Sequence, residues 1–381
     1  MIAKNIFIKF FRVYIILAYL GGGLAAAAPA EKANALHFFP LQQKNTFAEI
    51  SAFYGSLSDG GTNLTPFAQT LITSSPTNPV ENYTTKLGFN WGYQATLGYY
   101  LTENHHYALI TSFFNLDNQR TVSASTTGDE SYLYNELTQF GNASEMSNLG
   151  FSTFNAESSA SSTASIQYQR LVLHLAEPWS DLEDTSKIFD FHKAKGIMMI
   201  RVAKGVTGDY VGPVLRAFDG GLPVTTPGSD SILYASNALG IGPELGFIAN
   251  GKLTNYLKLH VTSETAILVG YYNAHYRENA EAKEPIRVGD NRSTSYTNTE
   301  NNPSVAWTPI FFSVQALLEA KLWESKKYHS ILNGAGGLGG EYILPTFTNN
   351  GVTELLGTPL TKFNNNLSAS YVMMRLSLNT D

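Results

Sequence analysis

The residue pattern closest to a known chemical motif is a glycine spacing. Gly334, Gly336 and Gly339 match the G-x-G-x-x-G pattern directly after an apolar pair. In dinucleotide-binding proteins this pattern opens a helix whose N-terminus binds the pyrophosphate. Residues 341–345 are Glu-Tyr-Ile-Leu-Pro, which predicts a strand instead. We therefore expect no cofactor, and we interpret these glycines as a strand face that a loop or a large side chain approaches closely.

The eight histidines carry no linear metal motif. His105 and His106 are adjacent in a short turn, where neighbouring side chains point apart, and the other six have no metal-ligand spacing. We therefore expect no metal site. His174 and His260 are candidate bases for a spatial Ser-His-Asp hydrolase, but no G-x-S-x-G accompanies them. An outer-membrane hydrolase is consequently the most distant of three functional hypotheses, and we expect no enzyme activity.

The composition excludes several classes of protein. The 381 residues include no Cys, so disulfide frameworks and thiolate sites are excluded. Lys and Arg total 25 against 31 Asp and Glu, and this net charge of −6 gives no electrostatic case for binding nucleic acid. Only 15% of residues are charged, although the chain has 21 Tyr and 22 Phe. We infer that part of the surface faces something other than water.

Residues 1–30 have the order of a secretory signal peptide. A basic front precedes the apolar run 13–24, which is too short for a dedicated bilayer span, and small residues follow it. Cleavage is expected between Ala30 and Ala35. Residues 31–381 are then expected to leave the cytoplasm and to form one domain.

Beyond residue 30, apolar and polar side chains alternate with a period of two. No later stretch contains 18 consecutive apolar residues, so a closed barrel is the remaining route across a bilayer. The clearest alternation occupies residues 91–101 and 312–322. The predicted strands are residues 44–57, 91–101, 107–118, 165–176, 189–206, 233–249, 257–269, 312–322, 328–344 and 366–378.

Short and long connections between these strands alternate along the chain. The short ones are residues 103–106, 177–188, 250–252 and 324–327, and the long ones are residues 58–85, 119–164, 207–232, 276–304 and 345–365. Outer-membrane barrels have short periplasmic turns and long extracellular loops, whereas a soluble sandwich has no reason for this order. The sequence therefore predicts an all-β fold, an antiparallel transmembrane β-barrel of about ten strands.

Aromatic residues favour the same bilayer arrangement. Trp91 and Tyr99 share one face of a strand, and at a rise of roughly 3.4 Å per residue and a tilt near 40° they are about 20 Å apart along the membrane normal. Trp323 and Tyr328 flank a short turn. We predict that these four residues lie at the membrane interfaces.

The polar side of each strand predicts which residues face the lumen. Their charges are mixed almost evenly in sign, and a ten-stranded interior is little wider than the eight-stranded kind that side chains fill. We therefore expect a paired network across the bore and no wide channel of one sign. The predicted lumen-lining residues are Glu49, Gln94, Arg170, His174, Arg201, Glu244, Lys258, Glu264, Glu319, Lys321 and Arg375. For Arg170 and His174 the inward parity is ambiguous.

Several short segments occur in an order that resembles the Legionella major outer membrane protein family. They are Trp91-Gly92-Tyr93, Tyr-Gln-Arg-Leu-Val-Leu-His-Leu at 168–175, Gly-Ile-Met-Met-Ile-Arg-Val-Ala at 196–203, Gly-Ile-Gly-Pro-Glu-Leu-Gly at 240–246 and Ala-Ile-Leu-Val-Gly at 266–270. The resemblance implies a surface-exposed β-barrel with porin activity and host-cell attachment. This chain departs from the family in lacking cysteine and in ending without a terminal aromatic residue.

Taken together, these features favour an outer-membrane protein with a structural and surface-interaction role. The loops are rich in hydroxyl and amide side chains, especially at residues 152–163, and such side chains suit contact with lipopolysaccharide sugars or a host-cell surface. The expected partners are outer-membrane lipid, lipopolysaccharide and a host-cell surface, and we expect no nucleic acid. A narrow porin-like channel for small solutes is the alternative hypothesis.

Overall fold

The computed structural model describes residues 46–58, 68–72, 81–83, 87–102, 107–126, 131–134, 158–179, 189–216, 224–254, 256–283, 293–325, 330–345 and 367–380. The regular structure in these ranges consists of β-strands. No helix with the length and hydropathy to cross a bilayer occurs within them. The predicted signal peptide, residues 1–30, and the predicted interface residue Tyr328 lie outside the described residues.

The strands follow one another along the chain with few other elements. They are β1 (Thr46–Ser58), β2 (Ala68–Ile72), β3 (Glu81–Tyr83), β4 (Phe89–Tyr100), β5 (Ala108–Thr126), β6 (Ser131–Tyr134), β7 (Ser158–Pro178), β8 (Phe189–Arg216), β9 (Val224–Lys252), β10 (Leu257–Ile267), β11 (Val269–Lys283), β12 (Ser293–Trp307), β13 (Pro309–Ser325), β14 (Ser330–Pro345) and β15 (Leu367–Thr380). Strands β2, β3 and β6 form a small separate sheet, and the other twelve form one antiparallel sheet.

The large sheet closes on itself. Strand β9 pairs with β8 on one side, and with both β10 and β11 on the other. Strands β10 and β11 are one line of chain interrupted at Leu268, and β12 and β13 are one line interrupted at Thr308. The Leu268 amide donates to the Pro309 carbonyl oxygen at 3.0 Å, which holds the two interruptions together. The wall is therefore a closed antiparallel barrel of ten strands, and the predicted fold class is confirmed.

The two ends of this barrel differ. At one end, which we call the turn end, β4 leads into β5, β7 into β8, β9 into β10 and β13 into β14. Thr46 of β1 lies opposite Thr380 of β15, so the described chain also begins and ends there. The remaining connections lie at the opposite end, which we call the loop end. This is the separation of short and long connections that the sequence predicts.

Two of the predicted long loops are mostly strand. Strands β8 and β9 stay paired up to Arg216 and Val224, which shortens the predicted loop 207–232 to residues 217–223. The pairing of β11 with β12 likewise shortens the loop 276–304 to residues 284–292. The prediction was wrong because it required alternation of apolar and polar residues, which a strand needs only where one of its faces meets an apolar surrounding.

Alternation along the wall strands separates an apolar outer face from a buried lumen. Inward side chains such as Phe53, Phe114 and Phe311 are almost fully buried. Large apolar side chains are exposed on the outward face of the wall, among them Ile50, Trp91, Leu97, Leu109, Leu173, Ile197, Ile241, Leu245, Ile267, Val314, Leu318, Leu338, Val372, Met374 and Leu376. We call this surface the apolar band. A soluble monomer rarely exposes a continuous apolar patch of this kind.

Toward the loop end, the outward face of β5, β7, β8 and β9 becomes polar. Arg201 donates to the side-chain oxygens of Asn237, Gln167 and Gln169 at 3.0, 3.1 and 3.2 Å. Gln169 in turn donates to Asn115 Oδ1 at 2.9 Å. We call these five residues the outer polar belt. They mark one boundary of the apolar band on this side of the barrel.

Candidate functional site

Strand β7 places Arg170 in the middle of the lumen. The even-numbered residues of β7 point inward, because Tyr168, Arg170 and Val172 are buried whereas Leu173 is exposed. Pairing of β7 with β5 and β8 on either side fixes this register. The parity that is ambiguous in the sequence is thereby resolved, and both Arg170 and His174 point inward.

Arg170 pairs with two carboxylates on other strands of the wall. Its Nη1 pairs with Glu264 Oε2 on β10, and its Nη2 lies 3.0 Å from Glu341 Oε1 on β14. Ser313 also donates to Glu264 Oε2, at 3.2 Å. Strands β7 and β14 are separated by the same number of strands in either direction around the ten-stranded ring. The Arg170–Glu341 pair therefore crosses the full diameter of the barrel.

Neutral donors complete the coordination of Glu341. Tyr168 Oη donates to Glu341 Oε2 at 2.5 Å, and Tyr371 Oη donates to Oε1 at 3.0 Å. Gln315 Nε2 donates to Tyr371 Oη at 2.9 Å. A carboxylate removed from water needs such donors, because burial of an incompletely paired charge costs several kcal/mol. Strands β7 and β15, and β13 through Tyr371, thus contribute to the surroundings of one carboxylate.

Aromatic rings occupy the space around these polar groups. The guanidinium of Arg170 lies 5.4 Å from the ring centroid of Phe114 and 5.3 Å from that of Phe311, which is cation–π distance. Phe53 stacks on Phe114 with a centroid separation of 4.5 Å. We call the whole set the lumen plug, and no member exceeds 9% exposure. Its members are Phe53, Phe114, Tyr168, Arg170, Glu264, Phe311, Ser313, Gln315, Glu341 and Tyr371.

A glycine of the G-x-G-x-x-G pattern makes room for one plug residue. Gly339 on β14 lies opposite Tyr371 on β15, and a Cβ at position 339 would overlap the tyrosine ring. The strand β14 continues without a helix through this pattern. The glycine therefore serves the close approach of a large side chain, as the sequence predicts, and β14 lacks the helix that a dinucleotide-binding turn requires.

Two further polar groups lie in the lumen. Nearer the turn end, Arg375 Nη1 lies 3.3 Å from Glu49 Oε2 and Nη2 lies 2.8 Å from Glu319 Oε2. The second group consists of His174 and Glu244. His174 Nδ1 lies 3.5 Å from Glu244 Oε2, and both side chains are buried. His174, Glu244 and Glu264 each offer a ligand atom, and these atoms lie within 4.8 Å of one another, close enough to hold a metal ion.

Most of the predicted lumen residues point inward. Those that do so and are at least partly buried are Glu49, Gln94, Arg170, His174, Glu244, Glu264, Glu319 and Arg375. Lys258 is on the inward side of β10 but is exposed at the turn end. Lys321 is beside a register shift in β13, where its side chain is 47% exposed and lies 2.7 Å from Glu324. Lys258 and Lys321 therefore belong to the mouth of the barrel and not to the network.

Arg201 requires a correction, because it lies on the outward face. The inward residues of β8 are Met198, Ile200 and Val202, so Arg201 points away from the lumen and joins the outer polar belt. The sequence misleads here because apolar residues occupy both faces of β8 between positions 197 and 200. With both faces apolar, period-two alternation cannot identify the inward one.

Three of the predicted interface aromatics lie on the exposed surface of the wall. Trp91 and Tyr99 are at opposite ends of β4, and Trp323 is near the turn end of β13. A further cluster, absent from the prediction, consists of Trp179, Phe191 and Phe247. Their neighbouring ring centroids are 5.6 to 5.8 Å apart, and Lys193 Nζ lies 5.5 Å from the Trp179 centroid.

Sequence reasoning missed several members of the lumen plug. Tyr168 and Tyr371 share inward parity with Arg170 and Arg375, and that parity is the signal that could have found them. Glu341 is the only carboxylate of the glycine-rich strand β14. Nothing in the local sequence identifies the strand that lies opposite, so the partners of these residues could not be read from it.

Comparison with known proteins identifies no relative by sequence. No family model matches the chain, and no curated protein matches it. Among solved structures, the outer membrane protease OmpT from Escherichia coli has 10% identity and a TM-score of 0.32, covering 92% of this chain and 100% of that one. A Pseudomonas aeruginosa FadL homologue has 8% identity and a TM-score of 0.29, covering 88% and 90%. The Pseudomonas putida toluene transporter TodX has 7% identity and a TM-score of 0.23, covering 90% of each chain.

We predict that Arg170→Gln destabilises the folded barrel by about 3–5 kcal/mol, because it leaves Glu264 and Glu341 buried without their cation. The matched control is Arg201→Gln, where the partly exposed guanidinium bonds to neutral amides and the loss is about 1 kcal/mol or less. Urea titration in detergent micelles, followed by the mobility difference between unboiled and boiled protein, measures both. Equal losses of stability for the two variants would contradict the assignment of Arg170 to a buried charge network.

Proposed function

We propose that this chain is an outer-membrane β-barrel with a closed lumen and a structural and surface-interaction role. The observation that carries the proposal is the lumen plug, in which Arg170 and Glu341 join opposite walls directly. Side chains that are nearly free of solvent contact fill the bore at that level. We expect a barrel filled in this way to act through its outer surfaces.

The outer surface supports a bilayer location. The apolar band provides a face that lipid tails can cover, and Trp91, Tyr99 and the Trp179 cluster occupy positions typical of interface aromatics. A closed antiparallel barrel satisfies all ladder hydrogen bonds within the wall, as a bilayer demands. The predicted export signal supports the outer membrane as the location. Membership of the Legionella major outer membrane protein family stays a prediction.

The long strands support a role outside the membrane. Strands β8 and β9 have 28 and 29 residues, whereas a tilted transmembrane strand needs about 9–11. The excess lies at the loop end, beyond the outer polar belt. The exposed outward side chains of β8 here include Thr207 and Asp209 beside the apolar Val211, and the guanidinium of Arg201 suits the phosphates and sugars of lipopolysaccharide. We assign lipopolysaccharide and a host-cell surface as the partners of this end.

We predict that Met374→Arg destabilises the barrel in lipid vesicles by about 2–4 kcal/mol, because Met374 lies in the middle of the apolar band. Ser370 is on the same face of the same strand, four residues nearer the loop end, and Ser370→Arg is the matched control. We expect it to cost about 1 kcal/mol or less, since the penalty falls toward the interface. Reversible urea unfolding from vesicles measures both. Similar costs at the two positions would contradict the bilayer placement.

Conductance measurements test whether the lumen is closed. In planar bilayers, we expect the wild-type protein to give no steady conductance, because the plug spans the bore. A known porin in the same bilayers shows that channels are detectable, and heat-modifiable mobility shows that the inserted barrel is folded. Large, stable, ion-selective steps would replace this proposal with the alternative, a narrow porin-like channel.

On whole cells, we expect deletion of residues 135–157 to reduce attachment to host cells while the barrel remains folded in the outer membrane. The deleted segment lies between β6 and β7, so the wall strands are retained. A deletion of residues 351–362, between β14 and β15, shows whether an effect on attachment is specific to residues 135–157. Attachment that is unchanged by either deletion would contradict the surface role.

A further inference from the structure

We propose that His174, Glu244 and Glu264 form a binding site for a divalent first-row transition-metal ion inside the lumen. The three residues lie on different strands, β7, β9 and β10, and all are buried. One ligand atom from each lies within 4.8 Å of the others, close enough for the three side chains to converge on a single ion. The sequence contains no linear metal motif, because these ligands are separated along the chain and meet only through strand pairing.

The strand register brings the first two ligands together. His174 lies directly opposite Gly196 of β8, and Gly196 lies directly opposite Glu244. A side chain at position 196 would stand between them, since even its Cβ would overlap His174. Because the residue is glycine, the imidazole and the carboxylate meet across β8, with His174 Nδ1 3.5 Å from Glu244 Oε2.

A second glycine makes room for the carboxylate. Gly246 lies opposite Glu264, and a Cβ at position 246 would lie 2.8 Å from Glu244 Oε1. The lumen surface of β8 and β9 therefore has two missing side chains beside the same three ligands. The wall thus brings polar side chains close together here, whereas aromatic rings surround the polar groups of the lumen plug.

Potential ligand atoms of Glu244 and His174 lack hydrogen-bond partners. Both carboxylate oxygens of Glu244 and Nδ1 of His174 are buried without any hydrogen bond. Glu244 is 1% exposed, so water cannot solvate it from the surface. An uncompensated buried carboxylate is costly, whereas a metal ion satisfies the same oxygens directly. The absence of hydrogen bonds at these atoms, with His174 Nδ1 and Glu244 Oε2 3.5 Å apart, distinguishes the cluster from the hydrogen-bonded Arg170–Glu264 pair.

The charge balance points to a divalent ion. The lumen holds three buried carboxylates here: Glu264 and Glu341 pair with Arg170, and Glu244 lies beside His174. With neutral His174, this cluster carries two surplus negative charges. A divalent cation at the three ligands makes it neutral. Imidazole nitrogen together with carboxylate oxygens favours Zn²⁺ and its first-row neighbours over Mg²⁺ and Ca²⁺, which prefer oxygen ligands alone.

Zinc titration of the folded, full-length barrel tests the site. Protein in detergent micelles is first dialysed against a chelator, and Zn²⁺ is then added in a calorimeter. We expect one Zn²⁺ per chain, a higher thermal midpoint with Zn²⁺, and at least about tenfold weaker binding for both Glu244→Gln and His174→Gln. Glu319→Gln, which changes a lumen carboxylate outside the cluster, should bind Zn²⁺ as the wild type does. Mg²⁺ should not compete.

The outcomes separate the site from its alternatives. Absence of Zn²⁺ binding to the chelated wild-type barrel would overturn the proposal. Binding that survives both Glu244→Gln and His174→Gln would also overturn it, since the ion would be held elsewhere. Heat-modifiable mobility identifies folded samples, and the two ligand variants give independent tests if one of them fails to fold. The result does not depend on the proposed closed-lumen function, because conductance is measured separately.

Discussion

The structure depends on how a closed barrel accommodates charge that it has removed from water. Arg170 is nearly without solvent contact, and its partners Glu264 and Glu341 come from other parts of the wall. Such a charge is tolerated only where the geometry supplies opposite charge and hydrogen-bond donors together. The positions of β7, β10 and β14 around the ring are therefore linked to one another through a single guanidinium. A shift of any of these strands by one residue would turn its charged side chain outward.

The same constraint relates the inside of the barrel to its outside. Because alternate residues face opposite sides of the wall, fixing Arg170 inward places Gln169 and Leu173 outward. The apolar band and the outer polar belt thus follow from the register that assembles the lumen plug. The proposed surface role rests on the same wall, where β8 and β9 extend far beyond the length that a bilayer requires. The proposed location, closure and surface role all rest on one arrangement of strands.

The sequence predicts the parts of this arrangement that depend on local alternation. It yields ten wall strands, their antiparallel order and the inward parity of Glu49, Glu244, Glu264 and Arg375. It fails on β8, where apolar residues on both faces hide the parity of Arg201, and at the loop end, where polar strands resemble loops. It cannot give pairs across the lumen, because Tyr168 and Glu341 are 173 residues apart and meet only when the ring closes. The metal ligands are hidden for the same reason.

The most direct measurement of the central claim is sided labelling of the lumen. The chain has no cysteine, so a single introduced thiol is unambiguous. Lys204 and Lys258 are on the inward sides of β8 and β10, toward the loop end and the turn end of the plug respectively. With Lys204→Cys or Lys258→Cys barrels inserted in vesicles in one orientation, a membrane-impermeant thiol reagent added at the loop end should label only position 204. Reagent enclosed at the turn end should label only position 258. Labelling of both positions from one side would show a continuous aqueous path and would contradict a lumen closed by the Arg170–Glu341 pair.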